Sequence, residues 1–207
     1  MNAAKSSYHH GDLHRTLLTA AADLLSERGV AGFSLREVAR RAGVSHAAPA
    51  HHFGDATGLL TAVAAEGFQH LYTAMSDALE AVSDPIDRLA ALARAYVEIA
   101  IAYPGHSALM GRHELVSPDN QELRTWSSRS YELLHDAVVC VAEEINPAVD
   151  TDAATRLCWA MVEGLLQVHP NMVAMAERPD GYAPVLAIGE LAEVFAHLLV
   201  DGIRGSG

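Results

Sequence analysis

Apolar residues recur at intervals of three and four positions along most of the chain, and prolines and glycines separate the segments in which they recur. The alternation of β-branched and polar residues that is typical of strands is missing from the part after residue 81. We predict helices over residues 12–28, 56–81, 85–103, 105–116, 119–145, 151–169 and 184–202, and two short helices within residues 34–53. The pattern therefore predicts an all-α fold.

Residues 34–53, SLREVARRAGVSHAAPAHHF, have the pattern of two short helices joined by a tight turn. Ser34 can cap the first helix. Gly43 can adopt the positive φ that such a turn requires, and Ser45 offers its hydroxyl as the N-cap of the second helix. The first helix has one narrow apolar face, formed by Leu35, Val38, Ala39 and Ala42. This combination indicates a helix-turn-helix, whose second helix enters the major groove of DNA.

Residues 11–72 resemble the DNA-binding domain of the TetR/AcrR family of bacterial transcriptional regulators. In that family a first helix is followed by S/T-h-x-x-h-A-x-x-A-G-V-S and by a short recognition helix that ends in His-Phe. The matching residues here are Ser34, Leu35, Val38, Ala39, Ala42, Gly43, Val44, Ser45, His52 and Phe53. The resemblance implies a DNA-binding transcriptional regulator, with ligand-responsive repression as the usual mode of action in the family.

Two positions depart from the family pattern. The family usually has a tyrosine two places before the histidine of His-Phe and a lysine near the start of the next helix, and both contact phosphates. This chain has Ala50 and Ala56 there. The two departures keep an alternative function open, namely a small-molecule-binding module of TetR fold in which DNA binding is weak or lost.

The second short helix offers small side chains and histidines to DNA. Small residues let the backbone approach base edges, and alanine methyl groups suit the methyl group of thymine. His46 or His51 can hydrogen-bond bases or phosphates, although one of them can equally pack against the protein. Arg36 is expected to contact a phosphate, whereas Arg40 and Arg41 fit ordinary surface charges equally well. The predicted DNA-contacting residues are Ser34, Arg36, Ser45, His46, Ala47, Ala48, His51 and His52.

Charge is distributed unevenly along the 207 residues, whose net charge is −12. Residues 1–60 carry six basic and five acidic side chains and half of the twelve histidines, whereas the rest carries eight basic and 21 acidic ones. Phosphates raise histidine pKa values, so the first part becomes more cationic beside DNA. The acidic remainder suits a solvated regulatory domain and is poor for DNA binding.

We divide the chain into a flexible N-terminal arm over residues 1–10, a helix-turn-helix DNA-binding domain over 11–55, and a helical ligand-binding and dimerisation domain over 56–207. The last two predicted helices, 151–169 and 184–202, are apolar over more than one stripe, which indicates that they bury two sides. In TetR-like proteins the final two helices form a four-helix dimer interface, so the resemblance implies a homodimer on a pseudo-palindromic operator. Alternatively, these helices complete the core of a monomer.

The middle helices carry large side chains with polar or adaptable tips, which suit the wall of a cavity for a small-molecule effector, although each also fits an ordinary core. The segment CWAMVEG looks like a TetR subgroup with Trp-x3-His-Gly in its regulatory domain, and Glu163 stands where that subgroup has histidine. Glu163 could bind a cationic ligand, pair with Arg112 or Arg156, or face water. The predicted ligand-binding residues are Tyr96, Met110, His113, Trp126, Tyr131, Trp159 and Glu163.

Motifs of enzymes and metal sites are missing from the sequence. GHSAL at residues 105–109 begins like a nucleophile elbow but lacks the second glycine and a preceding strand. There is no HExxH, no CxxC pair and no phosphate-binding glycine loop. Adjacent histidines such as His51 and His52 point about 100° apart on a helix, which suits a metal poorly. We therefore expect no catalytic activity, no cofactor and no metal.

The remaining sequence features bear on the cellular compartment. No segment approaches the ~20 apolar residues that a membrane span requires, and the first residues lack the apolar core of a signal peptide. Cys140 and Cys158 both lie within apolar helical patterns and fit buried thiols in a reducing cytosol. We therefore expect a cytoplasmic protein with no membrane partner.

Overall fold

The structure, a computed structural model, describes residues 3–176 and 188–205. Within these ranges the chain forms nine α-helices and no strand, which confirms the predicted all-α fold. The helices are α1 (Ala3–Arg28), α2 (Leu35–Arg41), α3 (Ala48–Phe53), α4 (Ala56–Glu80), α5 (Pro85–Ala102), α6 (Pro104–Met110), α7 (Gln121–Ile145), α8 (Thr151–Ala176) and α9 (Ile188–Gly205). None of these helices has the length and apolar character to cross a membrane.

Two helices of the first half differ from their predicted bounds. Helix α1 begins at Ala3 rather than at Asp12, because the residues between contain no proline and a single glycine costs a helix only about 1 kcal/mol. Whether residues 1–10 act as a flexible arm stays a prediction. The predicted helix 105–116 stops with α6, because Arg112 adopts φ −109° and ψ 67°, outside the helical region. A single 3₁₀ turn, His113–Leu115, follows it.

The last two helices also differ from expectation. Helix α8 continues past Pro170 to Ala176, although the proline removes one backbone hydrogen bond, so the predicted end at residue 169 is wrong. The predicted helix 184–202 corresponds to α9, which continues to Gly205. Residues 184–187 of that prediction lie outside the described part of the chain.

The contacts between Cα atoms divide the chain into two compact units. The first unit comprises residues 1–69 and 102–127, and the second comprises residues 70–101 and 128–207. Two of the boundaries between the units fall inside α4 and α7. The first unit therefore contains α1, α2, α3, the first half of α4 and α6. The functional division at residue 55, which rests on the sequence, stays a prediction.

In the first unit, α1 packs against α2 and α6. Val38 and Ala39 of α2 are fully buried, as is the inner face of α1, which consists of Leu17, Ala21, Leu24 and Leu25. Helix α6 approaches α1 so closely that a Cβ atom on Gly105 would lie 2.0 Å from the carbonyl oxygen of Ala22. Any residue larger than glycine would therefore force these two helices apart.

Two polar contacts join α4 to later parts of the first unit. The hydroxyl of Thr61, which is 1% exposed, donates to the carbonyl oxygen of Thr57 at 2.6 Å and accepts from the Ser117 amide at 2.8 Å. About one and a half turns after Thr61 on α4, the Oε2 atom of Glu66 lies 3.0 Å from Nε2 of His106 in α6. Each contact satisfies a buried polar side chain, since Thr61 is 1% and His106 is 8% exposed.

The second unit has its own apolar core, in which α8 packs against α9. The Asn146 side chain, just after α7, donates to the carbonyl oxygen of Ile203 in α9 at 3.0 Å. The buried core residues include Met75, Leu89, Leu92, Val97, Val138, Val141, Leu165 and Val200. In contrast, α8 and α9 leave four large apolar side chains exposed, namely Leu157, Val168, Val194 and Leu198.

Candidate functional site

Helix α2 and the turn after it have the geometry of a helix-turn-helix. Ser34 is the N-cap of α2, and its Oγ accepts a hydrogen bond from the Glu37 amide at 3.2 Å. At the other end Gly43 has φ +67°, the left-handed conformation that glycine adopts without steric cost. The Val44 amide then donates to the carbonyl oxygen of Ala39 at 3.0 Å and closes the turn. Both the cap and the turn glycine agree with the sequence-based expectation.

Helix α3 starts later than predicted, and Ser45 is not its side-chain cap. The helix begins at Ala48 after Ala47, and no side chain caps it. Ser45 instead contributes its carbonyl oxygen, which accepts from the Ala48 amide at 3.0 Å. The reason is Pro49, which fits only the first turn, because deeper in a helix its ring would clash with the carbonyl four residues earlier.

The side chains of residues 45–53, the α3 region, separate into an exposed and an anchored set. Pro49 is buried and Ala48 half-buried, while the exposed set consists of Ser45, His46, Ala47, Ala50 and His51. His52 and Phe53 are half-buried, and the ring of Phe53 lies 4.5 Å from that of His14 on α1. The ring of His52 lies 6.4 Å from His14 in an edge-on arrangement. These aromatic contacts hold the end of α3 against α1.

A network of ion pairs involves two of the three arginines of α2. Glu37 accepts hydrogen bonds from Arg40 at 2.7 Å and from Arg41 at 3.3 Å, and Arg41 also pairs with Glu27 at 2.6 Å. The hydrogen bonds from Arg40 and then Arg41 lower the pKa of the Glu37 carboxyl to about 2. Among the described residues, exposed Arg36 forms no ion pair, so its guanidinium is available to an external anion.

The second unit contains an apolar cavity of about 40 Å³. Of the predicted ligand-binding residues, Tyr96 of α5 and Trp159 of α8 line it, with their rings edge-on at 5.5 Å. The hydroxyl of Tyr96 donates to Oε1 of Glu163, which lies one turn after Trp159 on α8. Burial, followed by the negative charge of Glu163, raises the pKa of Tyr96 well above its usual value, so the phenol is neutral at physiological pH.

The other predicted ligand-binding residues do not line this cavity. Met110, His113 and Trp126 belong to the first unit, and Tyr131 stacks on His135 at 6.2 Å on α7. Their role in ligand binding stays a prediction. For Glu163, the two arginines considered from the sequence are not its partners, because Arg112 pairs with Glu114 and the Glu163 carboxylate accepts from Tyr96 instead.

Most of the cavity wall consists of residues that the sequence did not single out. They are Met75, Leu89, Leu92, Ala93, Leu134, Cys158, Met161, Val162, Ala196 and Leu199. Their only sequence signal is helical spacing of apolar residues, which every core position shares.

Burial raises the pKa of the Cys158 thiol to about 12, whereas Cys140 is exposed on α7. The expectation of two buried thiols is therefore wrong for Cys140.

Two stretches of the chain match known families. Residues 17–63 match the bacterial regulatory proteins of the tetR family, and residues 89–183 match the C-terminal domain of tetracyclin repressor-like proteins. The first stretch includes α2 and α3, and the second includes most of the cavity wall. No curated protein sequence matches the chain.

Solved structures match almost the whole chain. A protein of unknown function from Rhodococcus sp. RHA1 is 35% identical, with a TM-score of 0.73 over 94% of this chain and 97% of its own. The TetR family transcriptional regulator PfmR from Thermus thermophilus is 25% identical, with a TM-score of 0.68 over 89% and 97%. The transcriptional regulator FadR from Bacillus subtilis, solved in complex with stearoyl-CoA, shares the fold at 15% identity, with a TM-score of 0.70 over 91% and 98%. These matches and the helix-turn-helix geometry show that the chain belongs to the TetR family of bacterial transcriptional regulators.

Proposed function

We propose that this regulator is a repressor that binds a pseudo-palindromic operator as a homodimer and releases it when a small molecule occupies the cavity of the second unit. The observation that carries the proposal is the exposed face of the α3 region, where His46, Ala47, Ala50 and His51 project from a segment anchored by Pro49. The small side chains of Ala47 and Ala50 allow the backbone to approach the floor of the major groove. Since its partner is DNA, we place its action in the cytoplasm.

Each predicted DNA contact has a role in this proposal. His46 and His51 would hydrogen-bond base edges or phosphates, and Ala47 and Ala48 would contact thymine methyl groups. Arg36, as the α2 arginine outside the ion-pair network, would bind a phosphate. Ser34 lies at the start of α2, where phosphates are favoured, and the exposed Ser45 would donate its hydroxyl to a phosphate from the turn before α3. His52 would contact the DNA backbone from the anchored end of α3.

The homodimer is proposed from the exposed apolar side chains of α8 and α9. Val194 and Leu198 are 42% and 56% exposed and lie one turn apart on α9, while Leu157 and Val168 are 57% and 50% exposed and lie three turns apart on α8. Two copies that joined these faces would bury them in a four-helix interface, and about 800 Å² per partner is ordinary for a stable dimer. A dimer also places two recognition helices for the two half-sites of an operator.

The effector role of the cavity is supported by its apolar wall and by a relative. FadR from Bacillus subtilis, which shares the fold, was solved with stearoyl-CoA. At about 40 Å³ the cavity must widen before it holds a ligand, and the side chains of Met75 and Met161 in its wall are flexible enough to allow this. Widening would shift α4, which contributes to both units, and thereby change the DNA-binding geometry.

A pair of arginine variants tests the DNA-binding part of the proposal. Arg36→Ala should weaken binding to a selected operator and flatten the dependence of log K on log salt concentration by about 1.8 for a dimer, which loses two phosphate contacts. Arg40→Ala is the matched control, because Arg40 pairs with Glu37, and it should change the slope less. If the two variants have the same salt slope as the wild type, Arg36 does not contact DNA.

The alternative function, a ligand-binding module with weak DNA binding, rests on Ala50 and Ala56. Ala50 is exposed on α3 and Ala56 is half-buried at the start of α4, and neither side chain has a hydrogen-bond donor for a phosphate. Selection of bound sequences from a random DNA pool separates the two functions. Recovery of a pseudo-palindrome would support the repressor, whereas a pool that stays random after repeated rounds would favour the module.

A further inference from the structure

We propose that the effector is a hydrophobic cation, whose apolar body fills the cavity of the second unit and whose positive charge lies beside Tyr96, Trp159 and Glu163. This inference rests on the proposed function, since it assumes that the cavity is the effector site. It adds the chemical class of the ligand and the group that selects it. It also differs from the anionic ligand seen in the FadR structure.

The walls of the cavity determine the body of the ligand. They consist of aliphatic, methionine and aromatic side chains from α4, α5, α7, α8 and α9, together with the protonated thiol of Cys158. No carboxylate, amide or basic side chain is among these lining residues. Such walls stabilise a hydrocarbon chain or ring and give no compensation to a ligand that is polar along its length.

One carboxylate adjoins the otherwise apolar cavity through a residue of its wall. Tyr96 is 6% exposed and lines the cavity, and its hydroxyl donates to the carboxylate of Glu163 immediately behind the wall. Trp159 and Glu163 are four residues apart on α8 and so lie on the same face of that helix. The result is one carboxylate next to two aromatic rings.

The Glu163 carboxylate has no cationic partner within the described part of the protein. There, Glu163 forms no ion pair with a lysine, arginine or histidine, and its hydrogen-bond partner is the neutral phenol of Tyr96. Because this carboxylate is half-buried, solvent screens a cation beside it less than at the surface. A ligand cation would supply the missing charge, and the faces of Tyr96 and Trp159 attract cations through their ring quadrupoles. An anionic head group would be repelled at the same place.

Three ligands with the same hydrocarbon body and different heads test the inference on the full-length chain. Decyltrimethylammonium, decanol and decanoate are titrated below their aggregation concentrations by isothermal calorimetry. We expect the cation to bind about tenfold or more tightly than decanol, the effect of one cation–π or charge contact, and decanoate to bind most weakly. A cation that binds no better than decanol, or a preference for decanoate, would overturn the inference.

Variants test whether the Glu163 carboxylate causes the preference for the cation. Glu163→Gln should remove the roughly tenfold advantage of the cation over decanol, while Tyr96→Phe, which keeps the carboxylate, should retain it. Glu144→Gln, at an exposed position on α7, is the matched control and should change nothing. An unchanged cation preference in Glu163→Gln would contradict the assignment.

The proposed function is tested separately, by measuring the binding of operator DNA in the same samples. Release of DNA by decanol or decanoate but not by the cation would overturn the ligand class and leave the regulator intact. Binding of none of the three ligands would overturn the cavity as the effector site. Loss of sequence-selective DNA binding in the absence of any ligand would count against the repressor itself.

Discussion

Gly105 lies where α6 packs closely against α1, and its replacement by alanine tests how the DNA-binding helices are supported. A Cβ atom at this position would lie 2.0 Å from the backbone oxygen of Ala22, whereas ordinary contacts begin at 3.4 Å. The obstacle is backbone, so no change of rotamer relieves it. The two helices would have to move apart by roughly 1.4 Å, the difference between these distances.

The cost of Gly105→Ala follows from this displacement. Overpacking a core costs typically about 1–3 kcal/mol, and a clash with rigid backbone belongs at the upper end. For a chain of this size 1 kcal/mol lowers the melting temperature by about 2–4 °C, so about 3 kcal/mol should lower it by roughly 6–12 °C. Because α6 packs against α1, amide hydrogen exchange should accelerate in α1 and α6 of the variant.

Gly164→Ala is the matched control for the same chemical change. Gly164 is exposed inside α8, and a Cβ atom there would meet no atom within 4 Å. This variant should be more stable by about 0.5–1 kcal/mol, because alanine favours the helix. Thermal unfolding followed by circular dichroism compares the two. If Gly105→Ala melts within 1 °C of the wild type, α6 does not pack on α1 as described.

Three further outcomes are expected. Ala50→Tyr should restore a phosphate contact and steepen the salt dependence of operator binding by about 0.9 log unit per contact, and an unchanged slope would mean that position 50 does not face the DNA backbone. Thr61→Val keeps the shape of the side chain but leaves the Ser117 amide without its acceptor, so the free energy of unfolding measured by calorimetry should fall by roughly 1–3 kcal/mol. An unaltered melting curve would contradict this buried hydrogen bond. Cys158 should react with iodoacetamide at pH 8 far more slowly than Cys140, because the pKa of about 12 leaves little Cys158 thiolate. Equal reaction rates of the two cysteines, measured by peptide mass analysis, would refute the burial of Cys158.

The helix-turn-helix was predictable because its signals are local. A capping serine, a narrow apolar face and a turn glycine all lie within residues 34–53, and Ser34 and Gly43 have the predicted roles. The predicted start of α3 is too early because Ser45 is a good cap by residue type. The ring of Pro49 would clash with the carbonyl four residues earlier if Pro49 lay deeper in the helix, and this decides where α3 begins. The TetR family assignment follows from the same motif and is confirmed, as is the expectation of a non-enzymatic regulator.

The cavity was predictable only in part. Tyr96, Trp159 and Glu163 stood out as large or charged residues in apolar helices, but nothing local pairs the Tyr96 hydroxyl with a carboxylate 67 residues away. The aliphatic wall residues are indistinguishable in sequence from any core position, because only tertiary packing decides whether a gap remains between them. For the same reason the sequence placed residues of both units in one predicted ligand site.

The most direct test of the central claim is fluorescence anisotropy of the purified chain on DNA from upstream of its own gene, compared with scrambled DNA at two salt concentrations. A repressor built on the exposed α3 face should prefer the upstream DNA and lose affinity as salt rises, since phosphate contacts release counterions. Equal affinity for both sequences, or no binding to either at low salt, would contradict the claim that this helix-turn-helix reads an operator.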